Sequence, residues 1–295
     1  MNNGYRPTHY SLLIIHYSIG CRQIVLSVHC SQITEYRSQF ADYKSHKMTN
    51  LAIILAGGSG SRMGADVPKQ FIEIEGRSIF ERSVDAFEAA DGIDQVAAVV
   101  HPQWTDYARQ IVERNTNQKF GCSDVRETEN LNQGSGWKKF TRIIDGGNER
   151  YMSSLNAIMA FIDMPDDTNI IFHDAARPFV TPQIIARVVD ALRTHEAVGV
   201  GIPSTDTVWE VRQDFDPQLS KFIVRIPERA TVWRAQTPQA FRLPIIRDAF
   251  QRALQDPNFR ATDDCGVVRR YMPDVKLHVV LGDECNRKIT FPSDL

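Results

Sequence analysis

One stretch constrains this chain more than any other. The apolar run Leu51-Ala-Ile-Ile-Leu55 passes without a break into Ala56-Gly-Gly-Ser-Gly-Ser-Arg-Met-Gly64. A short apolar run of this kind reads as a buried strand, and a glycine-rich turn at its carboxyl end sits where open α/β sheets bind ligands. Glycines permit positive φ and close approach of the backbone to a polyphosphate, whose oxygens accept from successive N–H groups. Arg62 and Lys69 bring positive charge to the same segment. Two familiar glycine motifs fail by count. No lysine follows a glycine at Walker spacing, and a dinucleotide fingerprint starting at Gly58 and Gly60 meets Met63 where its third glycine belongs, with Gly64 one residue late. On the glycines alone, a phosphate cradle and a tight strand-to-helix turn without a ligand both remain open.

From Leu51 onward, short apolar runs alternate with amphipathic stretches, the pattern of βα units stacked into a mostly parallel sheet. Strands are predicted at Leu51–Leu55, Gln95–Val100, Asn169–Phe172, Ala197–Ile202 and Lys276–Leu281, and helices at Ile79–Ala90, Pro182–His195 and Leu243–Gln255. In the first helix Phe80, Val84 and Phe87 share one face. Residues 115–136 are polar, glycine-punctuated and aperiodic, which reads as a surface insertion without chemistry. Residues 206–236 carry β-rich halves, Thr207–Val211 and Phe222–Ile226, around Asp214-Phe-Asp-Pro217, and read as a projecting hairpin arm of the kind that reaches a partner subunit. Residues 1–47 lack such periodicity, so the functional domain is expected to run from Met48 to Leu295, after a disordered extension or an over-long start. Four of the eight histidines fall in this early segment, at spacings that match no zinc-ligand pattern.

Composition closes off several classes of function. A formal net charge of −2 leaves no basic excess for nucleic acid. The apolar stretch Ser11–Val28 is interrupted by His16, Arg22 and Gln23, so neither a membrane span nor a secretory signal is expected. Five widely spaced cysteines without a Cys-x-x-Cys pair indicate neither a disulfide framework nor a zinc site, and a reducing cytoplasm fits them.

Leu55 to Phe71, with its Gly-Gly-Ser-Gly-Ser-Arg-Met-Gly and Pro-Lys-Gln-Phe parts, resembles the nucleotide loop of 2-C-methyl-D-erythritol 4-phosphate cytidylyltransferases. Four further blocks agree in order: Gly146-Gly-Asn-Glu-Arg-Tyr-Met-Ser153, His173-Asp-Ala-Ala-Arg-Pro178, Glu228-Arg229 leading to Gln236-Thr-Pro-Gln-Ala-Phe241, and Thr262-Asp-Asp264 with Asn286-Arg-Lys-Ile-Thr290. The resemblance implies a Rossmann-like, mostly parallel sheet flanked by helices, of the nucleotide-diphospho-sugar transferase type, carrying the β-hairpin arm.

It also implies roles for individual residues. Arg62 and Lys69 would stabilise the transition state at the α-phosphorus of CTP, and Arg229 and Lys288 would place the methylerythritol phosphate. Ala56, Gly57, Gly58, Gly147, Asn148 and Ser153 would hold the nucleotide, largely through backbone groups. Asp174, Arg177 and Thr207 would meet the acceptor and ribose, with Thr207 reaching in from a neighbouring subunit of a homodimer and Asp174 also helping to hold magnesium. Arg150 is open to either a ligand role or an ion pair within the fold, and His173 reads as a packing residue. Arg287 and Glu228 depart from the family, which usually has an apolar residue and an aspartate there. A ribitol 5-phosphate cytidylyltransferase shares most of these blocks, and a noncatalytic nucleotide-binding regulator would need only the loop.

Overall fold

A computed structural model describes residues 15–19, 22–26, 48–58, 68–116, 136–212, 222–261 and 263–295. The chain divides into two compact units, 1–47 and 48–295. In the first, β1 (Ile15–Ile19) and β2 (Arg22–Leu26) pair antiparallel. Arg62, the arm turn Asp214–Pro217 and most of the insertion expected at 115–136 lie outside the described residues.

The second unit is built on a seven-stranded sheet. In chain order its strands are β3 (Asn50–Ala56), β6 (Gln95–Val100), β7 (Phe140–Asp145), β8 (Asn169–Asp174), β9 (Ala197–Pro203), β12 (Trp233–Arg242) and β13 (Leu277–Leu281). They lie side by side as β13-β9-β12-β8-β3-β6-β7, and β12 alone runs antiparallel to its neighbours. The mostly parallel α/β sheet expected from the sequence is present. Two-stranded β4 (Glu73–Ile74) and β5 (Arg77–Ser78) form a small hairpin before the first helix. β10 (Glu210–Arg212) and β11 (Phe222–Arg225) pair antiparallel as the arm.

Strand alternation divides the core into two layers. Ala52, Ile54 and Ala56 of β3 point to one face, which is covered by α1 (Ile79–Glu88), α2 (Thr105–Thr116) and α4 (Pro182–Ala191) through Phe80, Val84, Ile111, Ile184 and Val188. Leu51, Ile53 and Leu55 point to the other, under α3 (Arg150–Ala160), α5 (Leu243–Ala253) and α6 (Asp264–Tyr271) through Ile158, Ile246, Phe250 and Val268. Local sequence sets the helix starts. Ser78 and Glu81 close a reciprocal capping box on α1, Thr181 caps α4 just before Pro182, and the Asp263 carboxylate accepts from the Gly266 N–H at the head of α6. Among the described residues no helix is long and apolar enough to cross a membrane.

Candidate active site

The carboxyl ends of β3 and β8 and the turn from β7 into α3 open onto one cavity of about 390 Å³. Ala56, Gly57, Gly58, Asn148 and Ser153 line it, as does Lys69, so most of the nucleotide-binding residues expected from sequence meet here. Glycine is a packing requirement at two of the turns. A Cβ on Gly57 would stand 2.6 Å from Oγ of Ser153, and a Cβ on Gly147 would stand 2.2 Å from Cβ of Met152. The β3 turn therefore lies against the first turn of α3 with no room for a side chain between them. Ser153 is buried and accepts from the Gly147 N–H at 3.3 Å, which ties the turn leaving β7 to the first turn of α3.

A residue that pattern reading passed over shapes the glycine turn. Gln70, in a single 3-10 turn at Lys69–Phe71, is buried, and its Nε2 donates to the carbonyls of both Ala56 and Gly58 at 2.8 Å. Those two bonds direct the carbonyls of the turn toward Gln70 and fix its backbone at the point where the strand ends. The Pro-Lys-Gln-Phe block marks the position, but only the fold brings its amide under the turn.

Asp174 is the electrostatic hub. It ends β8, is largely buried, and receives Nε of Arg150 on Oδ1 at 3.1 Å and Nζ of Lys288 on Oδ2 at 2.7 Å. Burial alone would raise its pKa, but Arg150 and Lys288 outweigh it and hold the carboxyl well below the usual carboxylate range. Arg150 is bound on a second side, with Nη1 2.9 Å from Oδ2 of Asp264, itself almost fully buried. Of the alternatives left open for Arg150, the ion pair within the fold is present, and the side chain also lines the cavity.

Lys288 reaches Asp174 because the block around Gln236 anchors the segment after β13. Nδ2 of Asn286 donates to Oε1 of Gln236 at 3.1 Å and to the Thr237 carbonyl at 2.8 Å, and Ile289, fully buried, donates its N–H to the Ala176 carbonyl at 2.8 Å. Lys69 closes the arrangement from the other end of the chain by donating to the Ile289 carbonyl at 3.0 Å. Arg287, the departure from the family pattern, stacks its guanidinium over Phe179 at 4.9 Å and so leaves Lys288 free to face the cavity.

The remaining expected residues fall elsewhere. Arg177 donates to the carbonyls of Asn286 at 2.7 Å and Ala235 at 3.3 Å, which makes it a latch on the segment that carries Lys288; it does not line the cavity. Arg229 and Thr207 are exposed at the base of the arm and do not line it either. Among the described residues no cluster of three or more His, Cys, Asp or Glu could hold a metal by itself.

His173 sits beneath the site, fully buried against Phe87, with Nδ1 3.0 Å from Oγ1 of Thr237 and Nε2 3.1 Å from the Arg177 carbonyl. Burial, which the bond to that carbonyl only partly opposes, pushes its pKa down to about 4. Between the unfolded value near 6.5 and that folded value, the unfolded chain binds a proton that the native state does not, so stability falls as the pH drops. His173 is expected to remove about 2 kcal/mol of stability between pH 7 and pH 5. Urea unfolding at the two pH values should show this loss in the wild type and a clearly smaller one in His173→Gln.

Comparison with known proteins agrees with this geometry. The family model described as "IspD: 2-C-methyl-D-erythritol 4-phosphate cytidylyltransferase" matches residues 50–295. A 2-C-methyl-D-erythritol 4-phosphate cytidylyltransferase from Thermobifida fusca is 40% identical over 86% of this chain and 94% of its own length. A bifunctional ribulose 5-phosphate reductase/CDP-ribitol pyrophosphorylase from Haemophilus influenzae is 36% identical over 85% of this chain, a match that spans 47% of that larger protein. Among solved structures, the 4-diphosphocytidyl-2C-methyl-D-erythritol synthase of Anaerococcus prevotii superimposes with a TM-score of 0.64 at 26% identity, covering 84% of this chain and 93% of the other.

Proposed function

This chain belongs to the 2-C-methyl-D-erythritol 4-phosphate cytidylyltransferase family, and on that premise we propose that it transfers CMP from CTP to 2-C-methyl-D-erythritol 4-phosphate and releases pyrophosphate, a step toward isoprenoid precursors. The observation that carries the reading is the convergence of Lys69 and Lys288 on a cavity that also exposes the glycine turn. An oxygen of the acceptor's phosphate forms the new bond to the α-phosphorus, while the bond to the β-phosphate oxygen breaks and pyrophosphate leaves with the electron pair. The attacking phosphate is already ionised, so no general base is needed, and the protein's task is to position and to neutralise. Lys69 faces the charge that builds on the α-phosphate, and the family resemblance assigns Arg62, outside the described residues, to the same charge. Lys288, held on Asp174, orients the acceptor phosphate. Backbone groups of Gly57, Gly58, Gly147 and Asn148, with Ser153, hold the nucleoside.

A magnesium ion would arrive on the triphosphate. Magnesium is commonly held by one or two carboxylates together with phosphate oxygens and water, and Asp174 is a buried carboxylate kept ionised at the cavity. Bound there, the ion supplies further neutralisation of phosphate charge. Asp174 is the residue that would hold it.

Thr207 and Arg229 serve a second copy of the chain. The arm presents Trp209, Phe222, Val224 and Ile226 to solvent, each between 56% and 65% exposed, an apolar surface that pairing of arms in a homodimer would cover. A Phe222→Asp, Val224→Asp variant is expected to sediment as a monomer and to lose about 100-fold or more in kcat/KM, because each cavity then lacks the groups its partner delivers. A monomeric variant with full turnover would remove Thr207 and Arg229 from the site. The free thiols of Cys265 and Cys285 fit a reducing cytoplasm.

The Haemophilus relative's name favours one second reading, ribitol 5-phosphate as the acceptor. Turnover of the two polyol phosphates with CTP, measured side by side, decides between them. Methylerythritol phosphate is expected to give the higher kcat/KM, and faster use of ribitol 5-phosphate would replace the first reading with the second.

A further inference from the structure

We propose that Asp264 is a positioning residue for CMP transfer, acting on Asp174 through the guanidinium of Arg150. Asp264 opens α6, is 1% exposed and does not line the cavity, so it cannot touch a substrate. Its Oδ2 nevertheless lies 2.9 Å from Nη1 of Arg150, whose Nε lies 3.1 Å from Oδ1 of Asp174. Two carboxylates on different elements thus flank one guanidinium, Asp174 through a hydrogen bond to Nε and Asp264 through an ion pair with Nη1, while Nη2 of Arg150 and Oδ2 of Asp264 are both buried without a hydrogen bond. A planar fork fixed at two points has one orientation; fixed at one point, it can rotate about the remaining contact.

The head of α6 is itself immobilised. The neighbouring Asp263 caps the helix through the Gly266 N–H at 2.8 Å and accepts from Nε2 of Gln239 at 2.8 Å, and the Cys265 N–H donates to Oε1 of the same glutamine at 3.0 Å. Gln239 lies on β12, beside the β8 strand that ends in Asp174. Asp264 is therefore tied to the same central strands as the carboxylate it would position. Arg150 engaged on both sides keeps its guanidinium on Asp174 and away from the phosphates that Lys69 and Lys288 are placed to meet.

The inference rests on the cytidylyl-transfer reading, so its test includes a readout that needs no turnover. Asp264→Asn keeps the shape and removes the carboxyl group. It is expected to lower kcat by about 10- to 100-fold while changing the KM for CTP by less than about threefold. Asp264→Glu, which retains the carboxyl group, is expected to recover most of that loss. In the background Arg150→Lys, the Asn substitution is expected to cost little more, since the route through the guanidinium is already broken. Independently, the Arg150 Nε–H resonance, assigned by its disappearance in Arg150→Lys, is expected to exchange slowly with solvent in the wild type and at least tenfold faster in Asp264→Asn. A resonance equally protected in both proteins would overturn the positioning role whatever the kinetics. So would equal inactivity of folded Asp264→Asn and Asp264→Glu, or full additivity with Arg150→Lys. Slow exchange lost in Asp264→Asn, in a wild-type protein that turns over no polyol phosphate, would instead leave the positioning intact and remove the assigned reaction.

Discussion

Asp174→Ala is expected to lower kcat/KM for CMP transfer by about 1000-fold and to destabilise the fold by about 3 kcal/mol. Both effects have one cause. The substitution strips Arg150 and Lys288 of the carboxylate they share and leaves a largely buried guanidinium bound on one side only. Asp174→Asn separates the two contributions. Its carbonyl can still accept from Arg150, but its amide N–H groups then face the Lys288 ammonium, donor against donor. Stability should recover in part, while turnover should remain low. The pH dependence follows from the sign of the shift. The Asp174 pKa is held below its unfolded value, so its contribution is complete above the ordinary carboxylate range and is lost as the pH falls through that range. The difference in unfolding free energy between wild type and Asp174→Ala should therefore be flat from about pH 6 to pH 8 and shrink below about pH 4. A difference that grew on acidification would contradict the assignment of Arg150 and Lys288 as its partners.

Lys69→Ala is expected to reduce kcat by about 100- to 1000-fold with a smaller change in the KM for CTP. The ammonium is held at the cavity by the Ile289 carbonyl at 3.0 Å, so its positive charge stands beside the glycine turn. Charge that develops on the α-phosphate and on departing pyrophosphate in the transition state is what such a group meets best. Lys69→Arg should retain part of the rate, since a guanidinium keeps the charge but not the point geometry. Single-turnover measurement of pyrophosphate release distinguishes a loss in the chemical step from a loss in binding. A Lys69→Ala enzyme within about threefold of wild type in that step would remove the lysine from the transition state.

How much of this was legible beforehand varies with the physics. The strand β3 and its glycine turn were plain, because a buried parallel strand is a continuous apolar run and a turn that must touch another backbone needs glycine. The central antiparallel strand β12 was not. Its middle reads Gln236-Thr-Pro-Gln239, polar residues around a proline, which argues against a central strand on pattern alone. The fold accommodates them through a shift in register between Gln236 and Gln239, and Gln236, Thr237 and Gln239 spend their polar groups on Asn286, His173 and the head of α6. Helix α3 was masked in another way: its first turn carries Arg150 and Ser153 toward the cavity, so its periodicity is weakened where the chemistry lies. The pairing of Arg150 with Asp264 spans more than a hundred residues and leaves no local mark in sequence, nor does Gln70 beneath Gly58. Residue type could nominate Asp174, Lys69 and Lys288, and only the topology shows that they share a cavity while Arg177 serves the segment behind it.

The base preference of the cavity rests on backbone groups rather than on distinctive side chains. Release of pyrophosphate in the presence of 2-C-methyl-D-erythritol 4-phosphate and magnesium, compared across CTP, UTP, ATP and GTP, tests it directly. CTP is expected to support turnover at least about 100-fold more efficiently than either purine triphosphate. Equal or faster release with ATP or GTP would contradict the assignment of this cavity to cytidylyl transfer.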